Sequence, residues 1–301
     1  MQTLDATKTV LTMSAKNEPV LTIDSGDEIS IETQDCFSNV VQSEDQLFSS
    51  VGWDQVNPAT GPIAVRGASP GDTLRVDILD IDVADEGTMT THPDFGVLPG
   101  TVEERTKKIP IVDGYVQFDD TYSFPIEPMI GVIGTAPKDE DIPTGTPADH
   151  GGNMDTRKIA AGSILYLPVE VPGALLALGD VHAAMADGEV AVCGLEIAAQ
   201  VRIRVSVVRG RPLPLPFLVT ADEAIAIASR EKLIDAVQEA TRMMRDFLVE
   251  HTSLNASEAL MLLSLRGSAG ISQVVDPQHT ARMEVPRSLF SAYNIANVIE
   301  V

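Results

Sequence analysis

The chain has 301 residues, more than most single domains, and its 44 acidic and 21 basic residues give a formal net charge of −23. That charge excludes a nucleic acid or an anionic membrane surface as the expected partner, because both are polyanions. Two cysteines are too few for a disulfide framework, and no apolar stretch approaches the ~20 residues of a membrane span. The N-terminus also lacks the basic and apolar pattern of a secretory signal, so we expect a cytoplasmic protein.

The first part of the chain has the pattern of β-strands. Residues 20–23 and 28–33 alternate apolar and polar side chains around a turn at 25–27, which predicts an antiparallel pair. A second turn, at 69–72, precedes the alternating residues 73–83, which predict a long strand.

The middle of the chain is rich in turns. Prolines and glycines punctuate residues 98–149, which predicts short strands and loops that cover a neighbouring surface, such as a sister subunit. Residues 163–169 and 194–208 predict two further strands, the second with Glu196 on the face opposite its apolar side chains.

After a proline-rich run at 212–216, the apolar period becomes helical. Residues 220–251 predict one long helix, and residues 255–266 predict a second helix that ends at Gly267. Residues 271–275 and 281–285 then predict short strands.

The stretch GDVHAAMADGE, residues 179–189, sets one of the five histidines among three carboxylates. Strand alternation places Asp180 and His182 on one face, and Asp187 and Glu189 follow in a turn. Three carboxylates near one imidazole repel each other unless a cation or a proton lies between them, which suggests a metal. The alternative is a surface turn with a histidine packed beneath it.

Two further clusters carry polar donors. In DHGGNMD, His150, Asn153 and Asp155 offer nitrogen and oxygen ligands beside paired glycines that permit close approach, although such residues also cap turns. In TQDCFSN, Asp35 adjoins Cys36, and a nucleophilic cysteine would need a histidine or a helix N-terminus beside it. Asp35 is therefore the better candidate for chemistry.

The loop DQVNPATGP, which follows Trp53, holds Asn57, Thr60 and Gly61. It predicts either backbone amides that bind a small polar ligand or a plain connection between strands.

In chain order, the blocks NPATGPI, GASPGD, DHGGNMD, GDVHAAMADGE and GLE resemble the acetamidase/formamidase family, and the resemblance runs nearly end to end. It implies a mainly β (α+β) fold, with a β-sandwich-like core of mostly antiparallel strands and a smaller C-terminal α/β portion. We expect an N-terminal β-rich part over residues 1–160 and a C-terminal α+β part over residues 161–301 that completes the same active-site unit. The resemblance also implies a homo-oligomer, either a dimer or a larger assembly.

The resemblance further implies an amidase that hydrolyses a short aliphatic amide, formamide or acetamide, to ammonia and the carboxylate. A divalent metal, zinc or else calcium, would occupy an acidic cleft. Carried over residue by residue, its ligand candidates are Asp35, Asp155, His182 and Glu196, with Asp180, Asp187 and Glu189 close behind.

Amide hydrolysis needs a polarised carbonyl, a deprotonated water and a protonated leaving nitrogen. A Lewis-acidic metal supplies the first two, and Glu189 or Asp187 would shuttle the proton as the catalytic carboxylate. A mixed histidine and carboxylate donor set suits zinc, whereas an all-oxygen set suits calcium. Four Tyr, eight Phe and one Trp leave few aromatic side chains for a large stacking pocket, which favours a small neutral amide as substrate.

Two alternatives remain open at this point. One is a non-catalytic β-sandwich that binds a small ligand and holds a structural metal. The other is a hydrolase of another C–N bond, such as that of a cyclic amide or a urea-like compound.

Overall fold

The computed structural model describes residues 2–52 and 55–299, so Trp53 lies outside the described residues. The helices of this part are α1 (Leu233–His251), α2 (Ala256–Arg266) and α3 (Arg287–Ala292). The strands, in chain order, are β1 (Gln2–Leu4), β2 (Thr9–Val10), β3 (Thr12–Met13), β4 (Leu21–Ile23), β5 (Asp27–Thr33), β6 (Ala59–Val65), β7 (Thr73–Val83), β8 (Glu86–Thr91), β9 (Arg105–Val112), β10 (Tyr115–Gln117), β11 (Ser123–Pro125), β12 (Met129–Gly134), β13 (Ile142–Pro143), β14 (Gly151–Asn153), β15 (Ile164–Pro168), β16 (Leu176–His182), β17 (Ala199–Val208), β18 (Phe217–Val219), β19 (Glu223–Arg230), β20 (Ser268–Gln273) and β21 (His279–Pro286).

Two large sheets form the body of the molecule. The larger has nine strands in the order β1-β5-β17-β7-β15-β18-β19-β21-β20. The second has the order β14-β12-β16-β6-β2, with β4 beside β6. Among the described strands, only β1 with β5 and β4 with β6 pair in parallel. Two small sheets, β11-β10-β9-β8 and β13-β3, complete the β structure, which confirms the mainly β prediction.

The main apolar core takes side chains from both large sheets. Val76 of β7 and Ile203 of β17 join Ile63 of β6 and Leu178 of β16 in one cluster, and all four are fully buried. Burial of a side chain of this size contributes roughly 1.5–3 kcal/mol, so this sandwich core is the main source of stability.

The C-terminal helices pack on the other face of the larger sheet. In β19, Ile225 and Ile227 belong to the sandwich core, whereas Ala224 and Ala226 face a second core formed with the helices. A capping box at Asn255 begins α2, as the sequence predicts. This layer is the smaller C-terminal α/β portion.

The long helix predicted over residues 220–251 is wrong in its first part. Residues Glu223–Arg230 form β19, and the helix begins only at Leu233. The strand is buried on both faces, so its apolar run lacks the alternation of a half-buried strand.

The antiparallel pair predicted for residues 20–33 is also wrong. β4 pairs with β6 in the second sheet, whereas β5 pairs with β1 and β17 in the larger one. The turn at 25–27 does form, with the Asp27 amide donating to the Asp24 carbonyl at 3.1 Å. The chain therefore passes from one sheet to the other at this corner, which strand alternation alone does not reveal.

The larger sheet takes strands from both halves of the chain. β1, β5 and β7 come from before residue 160, and β15 and β17 to β21 come from after it. The turn-rich segment 98–149 contains β9 to β13, and β12 within it is a fully buried inner strand of the second sheet, between β14 and β16. None of the described helices has both the length and the apolar composition needed to cross a membrane.

Candidate active site

A cavity of about 830 Å³ opens beside the end of β16. Its polar side is lined by Asn153, Asp180, Glu189, Glu196 and Asp276. These residues come from separate segments of the chain, so the fold brings the three sequence clusters that carry carboxylates to one place.

His182, fully buried at the end of β16, lies at the centre of the carboxylates. Its Nε2 atom is 3.1 Å from Glu196 Oε1, 3.6 Å from Asp180 Oδ1 and 3.9 Å from Asp155 Oδ1. Ligand atoms of Asp155, His182 and Glu189 lie within 4.8 Å of one another. We call Asp155, Asp180, His182, Glu189 and Glu196 the acidic cluster.

A second group of possible ligands adjoins the first. Atoms of Cys36, Asp180 and Glu196 also lie within 4.8 Å of one another, and all three residues are buried. Asp180 and Glu196 therefore stand between the Cys36 thiol and the imidazole. Nitrogen, oxygen and sulfur donors all face one small volume.

Most polar atoms of the acidic cluster have no hydrogen-bond partner among the described residues. These atoms are both carboxylate oxygens of Asp155, both ring nitrogens of His182, Glu189 Oε2 and Glu196 Oε2. A buried polar atom left without a partner costs about 1–3 kcal/mol, and more when it is charged. The arrangement is therefore suited to holding a cation or protons between the side chains.

Burial dominates the electrostatics of this cluster. It raises the pKa of Asp155 to about 7 and of Glu196 to about 8, and it holds the pKa of Glu189 well above its usual range. For His182, burial acts to lower the pKa, but the charges of Glu196 and Asp180 outweigh it and raise the pKa well above the ordinary value. The carboxylates thus favour a positive charge at their centre.

Three carboxylates of the cluster have a left-handed backbone. The φ angles are 41° at Asp155, 53° at Asp180 and 48° at Glu189. Residues other than glycine adopt this region rarely, and such conformations gather at functional sites where surrounding structure enforces them.

Two glycines make room for the cluster. A Cβ atom on Gly131 of β12 would lie 2.5 Å from Asp155 Oδ1 and 2.7 Å from Asp180 Oδ2. A Cβ atom on Gly194 would lie 2.6 Å from the His182 ring. Any larger residue at either position would displace the side chains of the cluster.

Asp35 lies beside the cluster but is engaged elsewhere. Its Oδ1 atom accepts the amides of Phe37 at 3.0 Å and Asn39 at 2.6 Å, which closes its own turn. Burial raises the pKa of Asp35 despite these bonds. Asp35 Oδ1 therefore already has protein donors, as does Glu196 Oε1, which accepts the Gly194 amide at 2.9 Å.

Asp187 faces away from the acidic cluster and binds Arg282 of β21. The guanidinium donates to both of its carboxylate oxygens, from Nη1 at 3.0 Å and from Nη2 at 2.8 Å. Glu189, two residues later, points into the cavity. The structure thus separates the two carboxylates that the sequence offers as proton shuttles.

The two cysteines are buried and reduced. Burial, and then the charges of Glu196 and Asp180, raise the pKa of the Cys36 thiol well above its usual range. A nucleophilic cysteine sits instead in electropositive surroundings. Cys193 is buried beside Thr90, whose amide donates to its sulfur at 3.2 Å.

The DHGGNMD cluster divides between two cavities. Asn153 lines the cavity of the acidic cluster, and Asp155 belongs to that cluster. His150 instead lines a separate cavity of about 710 Å³. Asn57, with a φ of 57°, lines the first cavity, and its backbone N–H donates to the Cys36 carbonyl at 2.8 Å.

Sequence reasoning missed Asp276. The Asn153 amide donates to its Oδ2 atom at 3.0 Å, and burial followed by the Asp155 charge raises the pKa of Asp276 well above the usual range. An aspartate before Pro277, directly after a predicted strand, was the available signal, because strand ends often carry site residues.

A mainly β sandwich whose cavity gathers buried carboxylates around one imidazole defines a class of protein: a β-sandwich with a buried polar site suited to a cation or a small polar ligand. The chain matches the sequence profile of the Acetamidase/Formamidase family over residues 15–143 and 139–292. The chain belongs to this family.

Relatives of known structure align along nearly the whole chain. An acetamidase from Bacillus halodurans is 46% identical, with a TM-score of 0.96 over 97% of this chain and 99% of that one. A predicted acetamidase/formamidase from Thermoanaerobacter tengcongensis is 46% identical, with a TM-score of 0.95 over 98% of each chain. The formamidase of Methylophilus methylotrophus is 26% identical over 61% of this chain. The chain spans 60–63% of the length of the curated relatives it matches.

Proposed function

We propose that the protein is an amidase that hydrolyses short neutral amides to ammonia and a carboxylate, by metal-assisted attack of water. The observation that carries this proposal is the acidic cluster, with its unpartnered oxygens and imidazole nitrogens at one side of an open cavity. The names of the relatives, acetamidase and formamidase, support the same reaction.

The residues of the acidic cluster fit a divalent metal. An ion needs oxygen or nitrogen atoms that it can bind without competition. Both oxygens of Asp155, the ring nitrogens of His182 and Glu196 Oε2 have no hydrogen-bond partner among the described residues, whereas Glu196 Oε1 accepts the Gly194 amide at 2.9 Å. We assign these three as ligands, with Asp180 beside them and Asp35 the weakest candidate. The imidazole in the set favours zinc, and calcium is the alternative. When bound, the ion supplies Lewis acidity, which polarises a carbonyl and lowers the pKa of a water molecule.

Glu189 is the residue we assign to proton transfer. Its Oε2 atom has no hydrogen-bond partner among the described residues, and it lines the cavity. It would take a proton from the attacking water and return it to the leaving nitrogen, a role typically worth 10²–10⁴-fold in rate. Asn153 Oδ1, also without a partner, is placed to accept a hydrogen bond from the NH₂ group of the substrate.

The test is ammonia release from formamide, acetamide, propionamide and urea, before and after metal removal, with the bound metal measured by elemental analysis. We expect turnover of the amides, loss of activity on chelation and recovery with zinc. His182→Ala should lose both metal and activity while remaining folded.

Two results would reject this mechanism. Activity that survives chelation but is lost on thiol alkylation would transfer the chemistry to Cys36. Calcium-dependent stability with no turnover of any amide would favour the non-catalytic ligand-binding alternative.

We also propose that the protein assembles as a homo-oligomer. Apolar side chains are exposed on the turn-rich segment, among them Leu98, Tyr115 and Tyr122 at 66%, 47% and 61% exposure. Such a patch is expected to be covered by another surface. Native mass spectrometry would measure the stoichiometry, and a monomer at micromolar concentration would contradict this proposal.

A further inference from the structure

The few phenylalanines of the chain are concentrated at the candidate site. Phe37, Phe48 and Phe95, three of eight, line the cavity of the acidic cluster. Their rings meet edge to face, with centroids 5.9 Å apart for Phe37 and Phe48 and 6.3 Å apart for Phe48 and Phe95. A low aromatic content therefore does not mean a small pocket here, contrary to the expectation from composition.

These rings form the apolar wall of the cavity, together with Leu11, Val56 and Val192. The wall directly adjoins the acidic cluster, because Cys36 lies beside both. Its thiol lies within 4.8 Å of ligand atoms of Asp180 and Glu196, and its side chain packs in one apolar cluster with Phe37 and Phe48. The cavity is thus polar at one side and aromatic at the other.

The size of the cavity exceeds what formamide or acetamide can use. A volume of about 830 Å³ lies in the upper part of the ~300–1,000 Å³ range of pockets that bind drug-sized ligands. Formamide has no carbon chain, so it would leave the open part of the apolar wall in contact with water. That part includes the half-buried Phe95, whereas Phe37 and Phe48 are only 2% and 8% exposed. Burial of that wall is available only to a substrate with an apolar group of its own.

We infer that the preferred substrate is a primary amide whose acyl group is apolar and larger than acetyl, with its amide at the acidic cluster and its acyl chain against the Phe37–Phe48–Phe95 wall. This inference rests on the proposed amide hydrolysis. In this reaction, water adds its oxygen to the carbonyl carbon, the C–N bond breaks, and the nitrogen takes up the transferred proton and leaves as ammonia.

The first test is a substrate series on the metal-loaded protein. Formamide, acetamide, butyramide, hexanamide and phenylacetamide are compared by kcat/KM for ammonia release. Each added methylene that the wall covers should raise kcat/KM by about fourfold, the equivalent of burying one CH₂ group. Phenylacetamide should exceed acetamide by more than tenfold.

The outcomes separate this inference from the proposed function. Turnover of formamide and acetamide with falling kcat/KM for the longer amides would overturn the inference and leave the amidase standing. No turnover of any member of the series would overturn both.

A variant locates the effect at the wall. Phe95→Ala, at a half-buried position where truncation should leave the fold intact, is expected to lower the ratio of kcat/KM for phenylacetamide to that for acetamide by about tenfold or more. Leu265→Ala removes an apolar side chain that is 79% exposed on α2, away from the cavity, and should leave the ratio unchanged. An unchanged ratio in Phe95→Ala, with an unchanged melting temperature, would contradict the placement of the acyl group.

Discussion

Two groups of charged side chains lie close together in this molecule, and only in one of them do basic side chains balance the carboxylates. In the acidic cluster, Asp155, Asp180, Glu189 and Glu196 surround His182, and four of their eight carboxylate oxygens are buried without a partner among the described residues. In the second group, which we call the arginine network, Arg282 binds Asp187 and Glu284, and Lys158 binds Glu284 at 2.9 Å. The difference distinguishes a site that can accept a cation from a group whose negative charges are already balanced by arginine and lysine side chains.

The arginine network also holds the turn that carries Glu189. The Gly188 amide donates to the Ser272 carbonyl at 2.8 Å, and Arg282 Nη1 donates to Ser272 Oγ at 3.1 Å. Because Asp187 precedes this glycine, its bidentate pair with Arg282 fixes the turn from the other side. The arginine network therefore positions Glu189, which belongs to the acidic cluster.

Removing a charge from the acidic cluster should cost activity but not stability. Glu189→Gln keeps the shape of the side chain and removes its proton-transfer function, so we expect kcat for acetamide to fall about 10²–10⁴-fold. The metal-free protein should be at least as stable as the wild type, because one of several mutually repelling carboxylates becomes neutral. Steady-state kinetics and thermal melting test both parts, and a large loss of stability in the metal-free variant would contradict the comparison.

Removing the cation of the arginine network should have the opposite effect. Arg282→Met keeps much of the volume but leaves the buried Glu284 and the partly exposed Asp187 without their guanidinium. Breaking a fully buried ion pair typically costs about 3–5 kcal/mol. Because Glu284 keeps Lys158 and Asp187 is 42% exposed, we expect a loss at or below the lower end of that range. Chemical denaturation measures the loss of unfolding free energy, for which Arg66→Met, at an exposed ion pair with Asp24, is the matched control. Equal effects in the two variants would show that the network is not a stabilising one.

The sequence predicted the parts of the fold that depend on local pattern. Alternation identified Thr73–Val83 in full, and the capping residues identified α2 within one residue. The strand β19 was not predicted, because burial on both faces removes the alternation. The pairing of β4 with β6 was not predicted either, because it depends on residues some forty positions away. Local chemistry forms turns and caps, whereas the choice of partner strand is a property of the whole chain.

The site residues show the same difference between relations that are local in the sequence and relations that the whole fold creates. Asp180 and His182 were identified together because they are two residues apart on one strand, a local relation that the 3.6 Å distance reflects. Asp187 and Arg282 are 95 residues apart, so no local pattern could assign that carboxylate to the arginine network. The space provided by Gly131 and Gly194 depends equally on distant neighbours.

A second buried imidazole, His150, differs from His182 because burial and not the charge of neighbouring carboxylates dominates its pKa. His150 is 4% exposed, neither ring nitrogen has a partner among the described residues, and burial, which outweighs the opposing charge of Asp149, lowers its pKa to about 4. The unfolded chain takes up this proton near pH 6.5 and the folded chain only near pH 4, so stability is full above pH 6.5 and falls between those values. The loss should reach about 3 kcal/mol at pH 4.

Denaturation of the wild type and of His150→Gln across pH 8 to 4 isolates this effect, since all other groups titrate in both proteins. The difference in unfolding free energy between them should change in favour of the variant as the pH falls. A constant difference over the whole range would show that His150 does not titrate with folding.

The smallest effect is expected from Asp187→Asn, and it decides between the two carboxylates offered as proton shuttles. The amide oxygen can still accept a hydrogen bond from Arg282, and the Asp187 side chain is 42% exposed, so solvent already screens the pair. We expect a loss of about 1 kcal/mol in stability or less. Activity should fall less than about tenfold, because the turn that carries Glu189 is retained. The test compares the steady-state kinetics of Asp187→Asn with those of Glu189→Gln. A fall in kcat in Asp187→Asn as large as that in Glu189→Gln would make Asp187 the proton carrier instead.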